Sequence, residues 1–166
     1  MKCVQATESD IPLIRDLAYR TWPVAYGSIL STSQMEYMLE KFYSNDALKQ
    51  QMHSGHIFLM AYHNHIPSGF ASYAIDQEKR SSRLHKLYVL PDNQGKGLGQ
   101  MLLDAVIQRV RSRADTLELN VNRHNKALHF YERNHFKIIR TEDIDIGAGY
   151  YMNDYVMELS FSDRQQ

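Results

Sequence analysis

Six residues, Gln94 through Gly99, read QGKGLG, and QMLLDAVIQRV follows them with apolar residues at helical spacing. A glycine-rich turn that opens a helix is suited to a phosphate. The N–H groups of the first helical turn lack partners, and the helix dipole favours an anion there. Spacing decides which phosphate loop this is. A Walker A loop needs G-x-x-x-x-G-K-[ST], but Gly97 is followed by Leu98 and the chain holds no Gly-Lys-Ser/Thr, which argues against a nucleotide triphosphatase. A dinucleotide fingerprint needs G-x-G-x-x-G, and after Gly95, Gly97 and Gly99 neither Gln100 nor Leu102 supplies the third glycine. The turn also lies in mid-chain, behind several strand-like runs. The plain alternative is a loop that caps a helix and binds nothing.

The flanking elements place the turn. KCVQAT reads as a first strand. SDIPLIRDLAYRTW reads as a helix that Ser9 can cap, with Pro12 in the first turn, where a missing N–H does no harm. STSQMEYMLEKFY carries Ser33 and, three residues on, Glu36, a capping-box pattern; Met35, Met38, Leu39 and Phe42 recur at helical spacing. DALKQQM is a further short helical stretch. HIFLMAYH and GFASYAI read as strands with the turn residues HNHIPSG between them, and RLHKLYVL as a third run stopped by Pro91. Behind the turn come a helix from Gly97 to Arg113, the strand LELNV, the short helix NKALHFYERN, and the strands FKIIRT and YYMNDYVMEL around EDIDIGAG. There is no repeat, low-complexity segment or linker, so the reading is a single domain over residues 1–166.

Composition narrows the function classes. Lys+Arg and Asp+Glu each number 19, so the formal net charge is zero and the basic stripe of a nucleic-acid binder is missing. Cys3 is the single cysteine, which excludes a disulfide framework and a cysteine zinc cluster; within KCVQA it reads as a core thiol. No apolar run is long enough for a bilayer, and MKCVQATESD does not read as a signal peptide. The expectation is a cytoplasmic protein without a membrane partner. Among eight histidines, His53 with His56 or His63 with His65 could pair on a metal. No third ligand has suitable spacing, so they read as exposed loop histidines and no metal is expected.

The residues fit Q-x-x-G-x-G directly after a strand ending in YVLP. Here the chain resembles the GNAT superfamily, the GCN5-related N-acetyltransferases, along nearly its whole length. LYVLPDNQGKGLGQMLL is similar to the superfamily's pyrophosphate-binding motif, NVNRHNKALHFYERNHF to its second motif, and ATESDIPLIRDLA to its opening. The resemblance implies an α+β fold: a mixed, mostly antiparallel sheet of about seven strands that splays between strands 4 and 5, flanked by about four helices. It implies acetyl-CoA as cosubstrate in that gap. Gln94, Gly95, Lys96, Gly97, Leu98 and Gly99 would hold the pyrophosphate. Glycine permits close backbone approach, and Lys96 adds a point charge. Leu87, Tyr88 and Val89 would offer backbone groups to the pantetheine like a strand edge.

Acyl transfer to an amine needs a neutral amine, and at neutral pH only about one alkylamine in a thousand is neutral. A base must remove the proton, the oxyanion needs a donor, and the departing thiolate needs a proton or a hydrogen bond. The resemblance implies the Val89 backbone as oxyanion donor and Tyr131 as the thiolate's acid. Ala127, Leu128 and Tyr131 also share a helical stripe, so the alternative for Tyr131 is a core residue; its place in the motif favours the acid. Asn125 would bond the pantetheine arm or the adenosine end, or else cap its helix. Many relatives carry a glutamate where this chain has Arg83. The base then falls to His85, two residues on and on the same strand face, to Glu118 on the next strand, or to ordered water. His135 stands where relatives have glycine before Phe136 and reads as an altered helix C-cap.

The acceptor is chosen by segments rich in Tyr and Met: Trp22, Tyr26, Met35, Tyr37, Met38 and Tyr43, then Tyr150 to Tyr155. These suit an apolar pocket, although a helical Met/Leu stripe also suits a core. Glu142, Asp143 and Asp145 would form an acidic rim for a polyamine-like acceptor, or a solvated hairpin. Three readings stand: a small-molecule amine acetyltransferase, a protein lysine or N-terminal acetyltransferase, and a non-catalytic CoA-binding module. A homodimer stays open.

Overall fold

The structure, a computed structural model, describes residues 1–162. In chain order the elements are β1 (Lys2–Gln5), α1 (Ile11–Tyr26), α2 (Thr32–Tyr43), α3 (Asn45–His53), β2 (Ile57–His63), β3 (Ile66–Asp76), β4 (Ser81–Val89), α4 (Leu98–Val110), β5 (Thr116–Asn122), α5 (Ala127–Arg133), β6 (Lys137–Gly147) and β7 (Tyr150–Ser160). The sheet order is β1-β2-β3-β4-β5-β7-β6. β4 and β5 pair in parallel, while β1/β2, β2/β3, β5/β7 and β6/β7 are antiparallel. This is the mixed, mostly antiparallel α+β architecture that the resemblance implies, with five α-helices among the described residues where it implies about four.

The chain divides into two compact units. The first comprises Met1–Ala74 and His85–Gln108. Its helices bury one stripe each: Ile14, Leu17, Ala18 and Trp22 from α1, and Met35, Met38, Leu39 and Tyr43 from α2. β2 and β3 are buried on both faces through Phe58–Ala61 and Phe70–Tyr73, which explains their unbroken apolar runs. The hairpin between them is tighter than HNHIPSG suggests. Asn64 and His65 alone make the turn, both left-handed at φ 50° and 66°, and β3 starts at Ile66.

Three local readings need correction. Ser9 does not cap α1. A short 3₁₀ turn over Glu8–Asp10 precedes it, and the Asp10 carboxylate accepts the Thr7 N–H at 2.8 Å. α1 also runs past Trp22, through Pro23 to Tyr26, where the rings of Trp22 and Tyr26 lie 4.6 Å apart. α2 is capped by Ser31, whose Oγ accepts the Gln34 N–H at 3.1 Å, two residues before the Ser33/Glu36 pattern. α2 starts where Met35, Met38 and Leu39 turn inward, and the nearest suitable hydroxyl, that of Ser31, caps it; α1 starts with no side-chain cap of its own.

The second unit comprises Ile75–Leu84 and Arg109–Gln166, of which residues to 162 are described. β5 alternates strictly: Leu117, Leu119 and Val121 are buried, and Glu118, Asn120 and Asn122 occupy the other face. EDIDIGAG is not a loop. Glu142 through Gly147 continue β6, and the turn is confined to Ala148 and Gly149. β6 closes the strand order, where polar outward residues are tolerated, and the Arg140 Nε–Glu142 Oε1 bond at 2.9 Å ties its charges together.

α5 ends as the sequence predicts at His135. The Phe136 N–H donates to the Tyr131 carbonyl and the His135 N–H to the Glu132 carbonyl, with His135 left-handed at φ 70°. That is the Schellman arrangement with histidine at the position glycine prefers. His135→Gly is therefore expected to raise stability by about 0.5–1 kcal/mol, read as a higher Tm in thermal unfolding.

Candidate functional site

The first unit brings together His85 and every predicted phosphate- and pantetheine-holding residue from Leu87 to Gly99. β4 ends at Val89, a 3₁₀ turn spans Pro91–Asn93, and residues 94–97 turn into α4 at Leu98. The Gln94 side chain folds back, its Nε2 donating to the Val89 carbonyl at 3.2 Å. That bond ties the turn to the end of the strand and gives Gln94 a positioning role. Gly95 and Gly97 are left-handed, at φ 75° and 88°, a conformation that strains other residues. The Gly97 carbonyl accepts the Met101 N–H at 3.0 Å and so starts the helix.

The amides of Gly95, Lys96, Gly97, Leu98 and Gly99 meet no partner among the described residues. A Cβ at Gly95 would meet nothing within 4 Å, and one at Gly97 only the Met1 methyl at 3.8 Å. Five such amides surround an open helix start, the setting in which backbone N–H groups can receive an anion, and Lys96, exposed and bonded to Asn93 Oδ1 at 3.3 Å, adds positive charge beside them.

One aromatic wall lies in the same unit. Tyr26 of α1 and Tyr88 of β4 share a hydroxyl–hydroxyl bond at 2.9 Å, and Trp22 packs on both rings. Tyr43 is buried beneath them, and that burial pushes its phenol well above the ordinary range. Lys86 stands beside this wall. Its Nζ donates to Gln51 Oε1 at 2.8 Å and lies over the rings of Tyr43 and Phe58, with no carboxylate at ion-pair distance among the described residues. Burial pulls its pKa down to about 8.

The sign of the resulting pH dependence follows from proton counting. Between about pH 8 and 10.5 the unfolded chain keeps the Lys86 proton that the folded chain has released, so stability rises with pH across that window. Below it the buried charge is a burden on the fold. Lys86→Met is expected to flatten the rise, which amounts to roughly 2 kcal/mol from pH 7 to 9.5 in denaturant titrations.

The second unit holds the other predicted residues. Glu118 Oε2 pairs with Arg83 at 2.8 Å and with Arg140 at 3.7 Å, so the residue that stands where relatives carry a carboxylate holds this one in an ion pair. Asn120 lies in the same row. It accepts from Arg83 and donates to Asp154 at 3.2 Å; burial pushes the Asp154 carboxyl up. The acids of EDIDIGAG are also engaged: Glu142 with Arg140, Asp143 with Arg123, and Asp145 with the Gly147 N–H. The Asn125 Oδ1 accepts the Ala127 N–H at 2.9 Å, an Asx turn just ahead of α5, whose N-cap residue is Lys126 and carries no side-chain cap. Tyr131 is buried, with ring centroids 5.3 Å from Phe130 and 5.7 Å from Phe136.

Sequence reasoning missed His56, read as a loop histidine. Its ring stacks on His85 at 4.1 Å between centroids and 12° between planes. Burial, then the charge on Lys86, lowers its pKa. No sequence pattern pairs residues 29 positions apart on different elements. Among the described residues no group of three His, Cys, Asp or Glu could hold a metal ion, and no helix is long and apolar enough to cross a membrane.

The seven-stranded mixed sheet with its parallel β4/β5 pair, and the open glycine turn that carries β4 into α4, are the features to compare with known proteins. The chain belongs to the GNAT acetyltransferase family: the model of the acetyltransferase (GNAT) domain matches residues 28–159. Among solved structures, the PaiA N-acetyltransferase from Thermoplasma acidophilum in complex with coenzyme A is 23% identical, with TM-score 0.80 over 96% of this chain and 98% of that one. A GCN5-related N-acetyltransferase from Rhodopseudomonas palustris gives TM-score 0.81 at 20% identity, covering 96% of this chain and 94% of its own. The ribosomal-protein-S18-alanine N-acetyltransferase from Escherichia coli gives 0.73 at 19%, covering 96% and 93%. No curated protein matches the chain.

Proposed function

We propose that this chain is an acetyl-CoA-dependent N-acetyltransferase acting on a small primary amine, by direct transfer in a ternary complex. The observation that carries the CoA part is the set of five unpartnered amides from Gly95 to Gly99. They suit a pyrophosphate in number and setting, with Gln94 holding the turn to Val89 and Lys96 adding charge. Acetyl-CoA supplies the thioester. Leu87, Tyr88 and Val89 offer strand backbone to the pantetheine, and Asn125, whose Oδ1 is occupied, offers Nδ2.

His85 is the base in this reading. It is exposed on β4, whereas Glu118 is tied to Arg83. His85 takes one proton from the acceptor ammonium, and the freed nitrogen bonds to the acetyl carbon as the carbon–sulfur bond breaks. Tyr131 gives a proton to the departing sulfur and regains one from the nitrogen through solvent. The Trp22, Tyr26 and Tyr88 wall favours an acceptor with an apolar body. The engaged acids Glu142, Asp143 and Asp145 weaken the case for a polyamine.

A thiol-release assay with acetyl-CoA and a panel of small amines, polyamines and peptides tests the reading. Turnover on small apolar amines is expected. Turnover on peptides alone would make the chain a protein acetyltransferase, and CoA binding with no turnover on any acceptor would make it a binding module. With an acceptor in hand, His85→Ala is expected to flatten the acid limb of the kcat/KM profile; an unchanged limb moves the role to Glu118 or water.

A further inference from the structure

We propose that His56 is the positioning residue for His85, a neutral aromatic platform that fixes the orientation of the basic imidazole. The inference rests on the reading of His85 as base and adds a residue from a different element.

The backbone of His56 is pinned before its ring is considered. α3 ends in a Schellman turn: the Gly55 N–H donates to the Met52 carbonyl at 3.2 Å and the His56 N–H to the Gln51 carbonyl at 3.0 Å. Gly55 supplies the left-handed residue this turn needs, at φ 102°. β2 begins at the next residue, Ile57. His56 is thus held between a helix stop and a strand start, while the imidazole it meets stands on β4.

The two rings are nearly parallel, at 12° and 4.1 Å, which is face-to-face stacking. His85 is exposed and His56 half-buried. A free imidazole on a strand surface samples several rotamers; one laid on a fixed ring loses that freedom before the acceptor arrives, and orientation of a reacting group is a source of rate.

A platform serves a base only if it stays uncharged, since two stacked imidazolium ions would repel. Three features hold His56 neutral. Its Nδ1 is buried with no hydrogen-bond partner among the described residues, so a proton placed there would have no acceptor. Burial disfavours its charged form. The charge that acts on it among the described residues is the Lys86 ammonium, which also disfavours a proton on its ring. The proton that leaves the acceptor therefore settles on His85.

Steady-state kinetics on His56 variants, with CoA binding and thermal melts as controls, test the assignment. His56→Ala is expected to lower kcat about tenfold, with KM for acetyl-CoA unchanged. His56→Phe, which keeps a flat ring and cannot titrate, is expected to recover most of that loss. If His56→Ala unfolds, His56→Leu replaces it, filling the volume without an aromatic face. In a His85→Ala background His56→Ala should add no further loss. A His56→Phe enzyme as slow as His56→Ala, or a His56→Ala enzyme at wild-type rate beside an impaired His85→Ala, would overturn the inference alone. A fully active His85→Ala enzyme would overturn the base reading and this inference with it.

Discussion

Gly97→Val is expected to weaken acetyl-CoA binding at least a hundredfold, about 2.7 kcal/mol, in a protein that still folds. Gly97 sits at φ 88°, where a β-branched residue is strongly strained. Steric crowding is not the cause. A Cβ there would meet only the flexible end of Met1 at 3.8 Å, so neighbouring packing survives. The strain is relieved by rotating the backbone at residue 97 toward negative φ. That rotation swings the amides of Gly97 and Leu98 out of the group of five that lacks partners from Gly95 to Gly99. An anion held by several N–H groups loses most when they cease to converge. Calorimetry with CoA and a thermal melt read the two quantities separately. Unchanged affinity in a folded Gly97→Val variant would sink the assignment of the turn.

The parts of the molecule that were legible in the sequence are those fixed by local chemistry. Pro91 announces the end of β4, and His135 before Phe136 announces an altered C-cap; both stand as read. The errors came where tertiary contacts outvote local preference. α1 passes through Pro23 because the Trp22–Tyr26 pair packs in its last turn. EDIDIGAG reads as a connection because acids are poor strand formers, yet Glu142 opposes Asp154 in a regular ladder.

The site divides along the same line. Gln94 was recognised by pattern, but its physical role is a bond to a carbonyl five residues upstream. Arg83 was noted as a missing carboxylate, while the structure makes it the partner that occupies Glu118. His56 was invisible as a functional residue, because its meaning depends on a ring from another element. The buried cation of Lys86 is equally silent: a lysine between His85 and Leu87 on a strand gives no sign that its ammonium lies over the rings of Tyr43 and Phe58.

Tyr131→Phe is expected to lower kcat roughly a hundredfold or more while acetyl-CoA affinity stays nearly intact. The substitution removes one hydroxyl and nothing else. Phenylalanine keeps the ring packed against Phe130 and Phe136, and the carbonyl of residue 131 still accepts the Phe136 N–H that closes the helix. If Tyr131 is only core, the change removes at most a hydrogen bond, about 1 kcal/mol of stability, and leaves the rate alone. If it protonates the thiolate, the rate falls because a phenol with a pKa near 10 carries its proton at neutral pH and a thiolate with a pKa near 8.5 can accept it. Stability and rate thus move independently in the two readings. A melt and a saturation curve on one variant tell them apart, with the wild type run on the same acceptor. A Tyr131→Phe enzyme with full kcat would return this residue to the core and leave solvent to protonate the departing sulfur.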